Sequence, residues 1–547
     1  MRHVSRHPSQ QGAHRPVIFC VLMLGLTVML GLGPAGRSPL FAGDRPDKGG
    51  TVVWAVHEYM PSFDIHYETS YIAIQPLGPL YNGLLTFDVY DNGKIVGDLA
   101  ERWDIAEGGT RLTFRLHKGV KFHDGSDFTC ADAQYSLDRL AKRGNPTFTS
   151  VLKDMYGSSK CTDDFTLVVS LKQPAAGFLS LLACANAVVM KQGIDERADR
   201  KHPGFLIGTG PFKYKSHSPG VDFQAQRNPN YWKPGLPHLD GYRAVVMSDL
   251  TKIFASFRAR QLTMTGIARH LEKPESEILK KDFPDAVVGL GPRALWDNYV
   301  MNVTVPPFND RRVRKAIALA TDREKMIQIG AEGWGLLGGF ISPYLPFALP
   351  AEELKRYEQF QPDMDKRRAE AKRLLAEAGY AKGLTVEFLL RRGPMYERGA
   401  LSRQDDLKKI GVTEKLVLLD TATIRDRTLK GDFQTYTLPA AVQYDDPDVY
   451  YGRLVCENAS NTGKYCNAEF DKLFKEQAQT FDPTKRAEIT RKMERILLQD
   501  IPDDRGFYWI SSMGYWNRVQ KWPTIMGTTV YNFGKFEQVW CQGGKCM

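Results

Sequence analysis

Residues 442–451 read VQYDDPDVYY, which sets three carboxylates, Asp445, Asp446 and Asp448, among tyrosines on either side of Pro447. Such a knot could do one of three things. Two neighbouring carboxylates can share general acid and base work, a set of them can hold a cation, or one can form the lip that grips a ligand. Acid–base catalysis needs a second arm of the site, and the proline that breaks the run fits a loop between strands or before a helix. The stretch therefore reads either as a solvated turn or as a ligand-facing loop, since binding groups concentrate on loops carried by a rigid scaffold.

Other catalytic signatures fail one by one. The chain has no GxSxG elbow, HEYMP at 57–61 lacks the second histidine of a zinc protease, and GTGPFK at 208–213 has neither a third glycine nor a helical pattern after it. DVYDNG at 88–93 has the wrong spacing for a calcium loop. The sequence implies no cofactor, no metal site and no catalytic residue.

The elements that must position these groups begin with strands. GTVVWAV from Gly49 onward is β-branched and apolar, and LLTFDVYDNGKIV carries Asn92-Gly93 at its centre, a strong hairpin signal. Thr129 with Asp132 three residues on predicts a capped helix bearing Tyr135, Leu137 and Leu140. The second half is more helical. Val313, Ala316, Ile317 and Ala320 share one helical face, Asp365 reads as the cap of a helix that stops at Gly379, and Asp482-Pro483 opens another. No repeat or clean linker marks a boundary, so the domains are expected to exchange the chain more than once.

Composition narrows the class. At 547 residues with 43% hydrophobic and 25% charged residues, the chain is an ordinary globular protein of more than one domain. Its net charge of +10 is spread with acids interleaved, which argues against nucleic acid. Arg2, Arg6 and Arg15 precede the apolar run 17–32, and small residues follow, so residues 1–43 read as a signal peptide, cut between Gly36 and Asp44. Export makes the cysteines after Cys20 disulfide candidates, with Cys456 and Cys466, Cys541 and Cys546, and Cys130 and Cys161 as the plausible staples. Zinc is the competing reading, but no paired CxxC spacing occurs.

GGTVVWA, LYNGLLTFD with GDLAERW, LTFRLHKGVKFHDGSDFTCADAQYSLDR, GTGPFKY, NPNYW, FNDRRVRKAIALATDRE, LLAEAGY, DDPDVYYGRL and YCNAEFDKLFKEQA follow one another from about Gly49 to Trp509. In this order and spacing they resemble the extracytoplasmic solute-binding proteins of ABC importers, in the dipeptide, oligopeptide and nickel class (solute-binding family 5). The resemblance implies an α/β periplasmic-binding-protein fold of two lobes joined by a hinge, with a subdomain inserted in the N-terminal lobe. Carried onto this chain, the first lobe takes 48–88, 210–292 and 520–547, the insertion 89–209, and the second lobe 293–519. It implies a monomeric periplasmic protein that hands a peptide or peptide-like solute to a permease with its ATPase subunits.

The peptide-binding members carry an acid shortly before the DP-type turn, in a pattern close to W-x-x-D-Y-x-D-P, where it pairs with the peptide's α-amino group. In this chain Ala440 stands in the place of the tryptophan and Gln443 in the place of the acid. Either Asp445 or Asp448 substitutes from a shifted position, or the ligand lacks a free α-amino group there. The other pocket candidates are Glu58, Tyr59, Thr69, Tyr71, Trp296, Tyr444 and Trp509, aromatics with polar edges suited to peptides, sugars or opine-like conjugates. A non-peptide solute, including an oligosaccharide or a metal complex, is the alternative; an exported hydrolase using Asp445 or Asp448 is the remote one.

Overall fold

The computed structural model describes residues 45–547 apart from 69–70, 92, 267–270, 439, 443 and 524–534. The signal peptide expected over 1–43 lies outside the described residues. Among those described, no helix is long and apolar enough to cross a membrane.

The first lobe is built on a four-stranded sheet in which Thr51–Val56 pairs in parallel with Gly241–Val246, followed by Asp222–Arg227 and Phe212–Ser218 in antiparallel order. TVVWAV buries Trp54 completely, against Tyr242 at 5.3 Å and Phe536 at 5.4 Å between ring centroids. A strand near the N-terminus, three from the middle and a residue near the C-terminus thus share one core. Residues 208–211 close this core from the side. A Cβ added at Gly208 would collide with the Leu80 carbonyl oxygen, and one at Gly210 with the Leu80–Tyr81 peptide. Backbone cannot yield as a side chain can, so Gly208→Ala is expected to cost about 2–3 kcal/mol, the upper range for overpacking. Urea denaturation checks this, and a loss below about 0.5 kcal/mol, the size of an ordinary surface substitution, would refute it.

The inserted region has its own sheet, ordered Ala100–Ala106, Arg111–Leu116, Thr166–Leu171, Tyr156–Asp163, and its own core around Phe114, Phe128, Leu167 and Phe178. The helix Cys130–Arg143 packs on it, with Thr129 and Asp132 forming a capping box. The expected hairpin is present, but Leu85–Asp88 pairs with Lys94–Gly97 across a longer loop than Asn-Gly alone would set. The loop is longer because Val89 is buried and Asp88 turns the chain itself, its carbonyl accepting from Gly93 N–H at 2.9 Å. Asn92 lies outside the described residues.

The second lobe holds a seven-stranded sheet running Gly335–Leu336, Asp503–Trp516, Ala286–Met301, Thr435–Thr437, Leu384–Arg391 and Val412–Leu419, with Ala440–Ala441 paired to Leu295–Trp296. Its helix Arg311–Ala320 buries Val313, Ala316, Ile317 and Ala320, the apolar face read from the sequence. The helix Met364–Glu377 is capped by Asp363, whose side chain accepts from Lys366 N–H at 2.9 Å. Asp365, expected as the cap, sits instead in the first turn, where its charge meets the helix dipole.

Two long strands join the lobes. Ala286–Met301 and Asp503–Trp516 run antiparallel from Ala286 opposite Trp516 to Val300 opposite Asp503, with register shifts between Pro292 and Asn298. At one end Trp516 stacks on Phe257 at 4.4 Å in the first lobe; at the other Tyr299 packs on Phe388 at 5.2 Å in the second. The irregular stretch lies between the two cores, where a broken ladder bends most easily.

Disulfides join Cys130 to Cys161, Cys456 to Cys466 and Cys541 to Cys546. Cys184 keeps its thiol, buried beside the Ser180 carbonyl.

Candidate functional site

The acidic knot opens the short helix Pro447–Tyr451, and its three carboxylates meet different fates. Asp446 caps that helix through Asp448 N–H at 3.0 Å, and it receives both Nη1 and Nη2 of Arg486 at 2.8 and 2.6 Å and the Ser180 hydroxyl at 2.7 Å. Asp448 accepts from Gln477 at 2.6 Å and from Arg486 at 3.2 Å. Burial, and then the neighbouring Asp446, push the Asp448 carboxyl up to about 6, while Arg486 pulls the other way.

Ser180 lies in the helix Gly177–Leu182, packed in the core around Phe114 and Phe178, and Arg486 in the helix Pro483–Asp500, packed in the core around Trp296 and Met493, so Asp446 is a clasp between them. Ala176 N–H adds a backbone bond to the Ala478 carbonyl at 2.7 Å. Gly177 is required here, because any Cβ would run into Asp448.

Asp445 is not part of the clasp. It accepts from the hydroxyls of Tyr344 at 2.6 Å and Tyr450 at 3.0 Å, and it lines a cavity of about 720 Å³ between the subdomain and the second lobe.

The other expected site residues divide between core and surface. Trp296 is fully buried, 5.2 Å from Tyr450 and 6.0 Å from Tyr508, with the guanidinium of Arg505 over its ring at 4.6 Å. Its Nε1 has no hydrogen-bond partner among the described residues. Tyr444 is buried in the subdomain core, 6.4 Å from Phe148, and Trp509 is buried edge-on to Phe507 at 4.7 Å. Glu58 is exposed. Tyr59 is half-buried and stacked on His217; burial, then Tyr214 and Asp222, push its hydroxyl up to about 12. Tyr71 begins the helix Tyr71–Leu77, and Thr69 and Gln443 lie outside the described residues.

The structure thus brings Trp296, Asp445 and Tyr450 into one neighbourhood, joined by Tyr450, which touches both. Sequence reasoning missed Arg486, Ser180, Gln477 and Tyr344. Arg486 was one basic residue in a helix rich in them, and nothing near it in sequence points to Asp446. The described residues contain no group of three or more His, Cys, Asp or Glu placed to hold a metal ion.

Comparison with known proteins agrees with this architecture. Residues 94–462, more than half of the chain, match the model of the bacterial extracellular solute-binding proteins, family 5. The chain is 28% identical over 459 residues to the periplasmic oligopeptide-binding protein OppA of Escherichia coli K12, covering 79% of this chain and 82% of OppA. It is 26% identical over 500 residues to the probable deoxycholate-binding periplasmic protein YgiS of the same organism, covering 85% and 90%. The structure of HbpA2 from Haemophilus parasuis superposes with a TM-score of 0.79 at 23% identity, covering 90% of this chain and all of that one. The double-lobed body crossed by two strands fits these matches, and the chain belongs to the bacterial extracellular solute-binding proteins of family 5, as a binding protein and not an enzyme.

Proposed function

We propose that this protein is the periplasmic receptor of an ABC importer, which captures a peptide or peptide-like solute between its lobes and presents it to a membrane permease served by ATPase subunits. The observation that carries this reading is the pair of long strands crossing between two separately cored lobes, with their register broken midway. Ligand that touches both lobes favours the closed arrangement by its differential affinity for it. The oligopeptide-binding relative supports a peptide-class solute. We assign residues 1–43 to a signal peptide, 48–88, 210–292 and 520–547 to the first lobe, 89–209 to its insertion and 293–519 to the second lobe, the whole acting as a monomer. The parallel pairing of Thr51–Val56 with Gly241–Val246 supports joining the first two segments.

Gln443 and Ala440 favour a second reading, in which the solute presents no ammonium at position 443. The relative named for deoxycholate supports that breadth. Native mass spectrometry of protein purified from the periplasm, followed by calorimetry with the co-purified solute, tests both readings. A solute recovered intact is expected; one consumed over time would overturn the receptor. Gln443→Asp is expected to weaken binding, because it sets a carboxylate against a solute that brings no cation to meet it. Tighter binding, by about 1 kcal/mol, would instead place a peptide ammonium there.

A further inference from the structure

The register of the crossing strands breaks twice, between Pro292 and Trp296 and again between Trp296 and Asn298. Asp297 stands inside the second break, buried and without a register partner in the facing strand. Where the ladder leaves a residue unpaired, its side chain must hold it. The Asp297 carboxylate accepts from Nη2 of Arg403 at 2.6 Å, and Arg403 is itself fully buried, in the helix Pro394–Lys408 against the core around Tyr299 and Phe388. Opposite, in Asp503–Trp516, Gly506 makes the room. A Cβ there would stand 2.6 Å from the Asp297 carboxylate and 3.3 Å from Nη2 of Arg403.

Arg403 gives Asp297 only part of what it has. Its Nε and Nη1 have no hydrogen-bond partner among the described residues. Asp504 stands beyond the break, opposite Tyr299, where the ladder has resumed. One of its oxygens takes Arg323 from the helix Arg323–Gly330; the other, Oδ2, lies 4.0 Å from Nε of Arg403 and has no hydrogen-bond partner among the described residues either. That gap is about 1 Å longer than a hydrogen bond. Buried donors and acceptors left unpaired carry a desolvation penalty, which a small turn of the guanidinium toward Asp504 would relieve. Glu414, a third carboxylate near Arg403, does not distinguish one bend of the break from another, because its strand Val412–Leu419 pairs with Leu384–Arg391 and not with the crossing strands.

We propose that Arg403 is the positioning residue of the hinge, holding Asp297 in the placement seen here and passing its Nε to Asp504 when the break bends and Asp297 is drawn away. The buried guanidinium then never lacks a carboxylate, so the lobes move without stranding a charge. The two acids thereby set the balance between two lobe placements, which a solute shifts by its differential affinity for one of them. The inference rests on the reading of these strands as the crossing between the lobes of a receptor.

Double electron–electron resonance on the mature protein, with nitroxides at Lys252→Cys in the first lobe and Lys372→Cys in the second, reads the separation of the lobes. Both positions are exposed, on the helices Leu250–Arg258 and Met364–Glu377, and protein without the added cysteines is the labelling control. Each protein is measured as purified from the periplasm and again after unfolding in urea without reductant and refolding, which strips any solute it carries. Asp297→Asn is expected to shift the ratio of the two placements about tenfold toward the one held by Asp504, and Asp504→Asn about as far the other way, as for a charged acceptor replaced by a neutral one. A merely structural role would lower the stability of both variants without opposite shifts. Arg403→Met added to either variant should cancel its shift, and that comparison decides alone if the other asparagine variant does not fold. Shifts in the same direction, no shift, or shifts that survive Arg403→Met would overturn the switch; a wild type that still changes separation between its purified and refolded states would then keep the receptor reading. One unchanging separation in the wild type and in every variant would overturn both.

Discussion

Arg486→Ala is expected to destabilise the protein by roughly 3–5 kcal/mol, the range for removing one partner of a buried ion pair. Arg486 is 4% exposed, Asp446 fully buried and the Asp448 side chain 9% exposed, so water compensates neither carboxylate of the clasp well. The substitution leaves Asp446 with the Ser180 hydroxyl and the Asp448 N–H, and Asp448 with Gln477, far less than a guanidinium that donates to both acids. The Gln477 carbonyl also loses the Nε donor it now receives at 3.1 Å. Urea denaturation at neutral pH measures the loss. It should shrink at pH 5, because Asp448, already pushed up to about 6, takes a proton and one of the two orphaned charges disappears. Adding Asp446→Asn to Arg486→Ala should recover part of the loss, as residues of one network do not act additively. A cost under about 1 kcal/mol, the level of a surface pair, would show that the clasp is solvated and that the subdomain and the second lobe do not depend on it.

Glu414→Gln is expected to act in the opposite direction and only above mild acid. Glu414 lies in the strand Val412–Leu419 at 4% exposure, and burial pushes its carboxyl from 4.5 up to about 7, against the pull of Tyr299 and Arg403. The folded protein therefore holds this proton more tightly than the unfolded chain. Between about pH 4.5 and 7 the folded state binds more protons, so this group's contribution falls as pH rises and is fully unfavourable above pH 7. Glutamine never ionises, so the variant should gain roughly 3 kcal/mol over the wild type at pH 8 and almost nothing below pH 4.5. His66 and His123 oppose this trend in both proteins. Burial lowers each to about 4, so their contribution is lost as pH falls from 6.5 toward 4. A series of urea titrations from pH 4 to 8 separates the effects. Parallel stability curves for variant and wild type would show that Glu414 finds water or a partner, and that its burial does not govern its charge.

What could be read from the chain alone was whatever its own near neighbours enforce. The capping box of Thr129 and Asp132 closes within three residues, and Asp482 caps the helix begun by Pro483 through Lys485 N–H at 2.9 Å. The apolar face of Arg311–Ala320 follows from helical spacing. The hairpin loop and the Asp363 cap were misplaced by a few residues, because two polar residues near a boundary satisfy the same backbone donors and packing chooses between them. The lobes themselves were reached by resemblance, since a parallel pairing such as Thr51–Val56 with Gly241–Val246 leaves no local mark.

The site was legible as a place and not as a set of roles. VQYDDPDVYY announced a loop with charge to spend, but three acids within four positions carry no sign of which faces protein and which faces solute. That was decided by Arg486, 40 residues away from Asp446, and by Ser180, 266 away. Only the tertiary structure brings them to one seam, because a buried carboxylate must find its cation wherever the fold supplies one, while a helix cap or an apolar face is settled within a turn or two of chain.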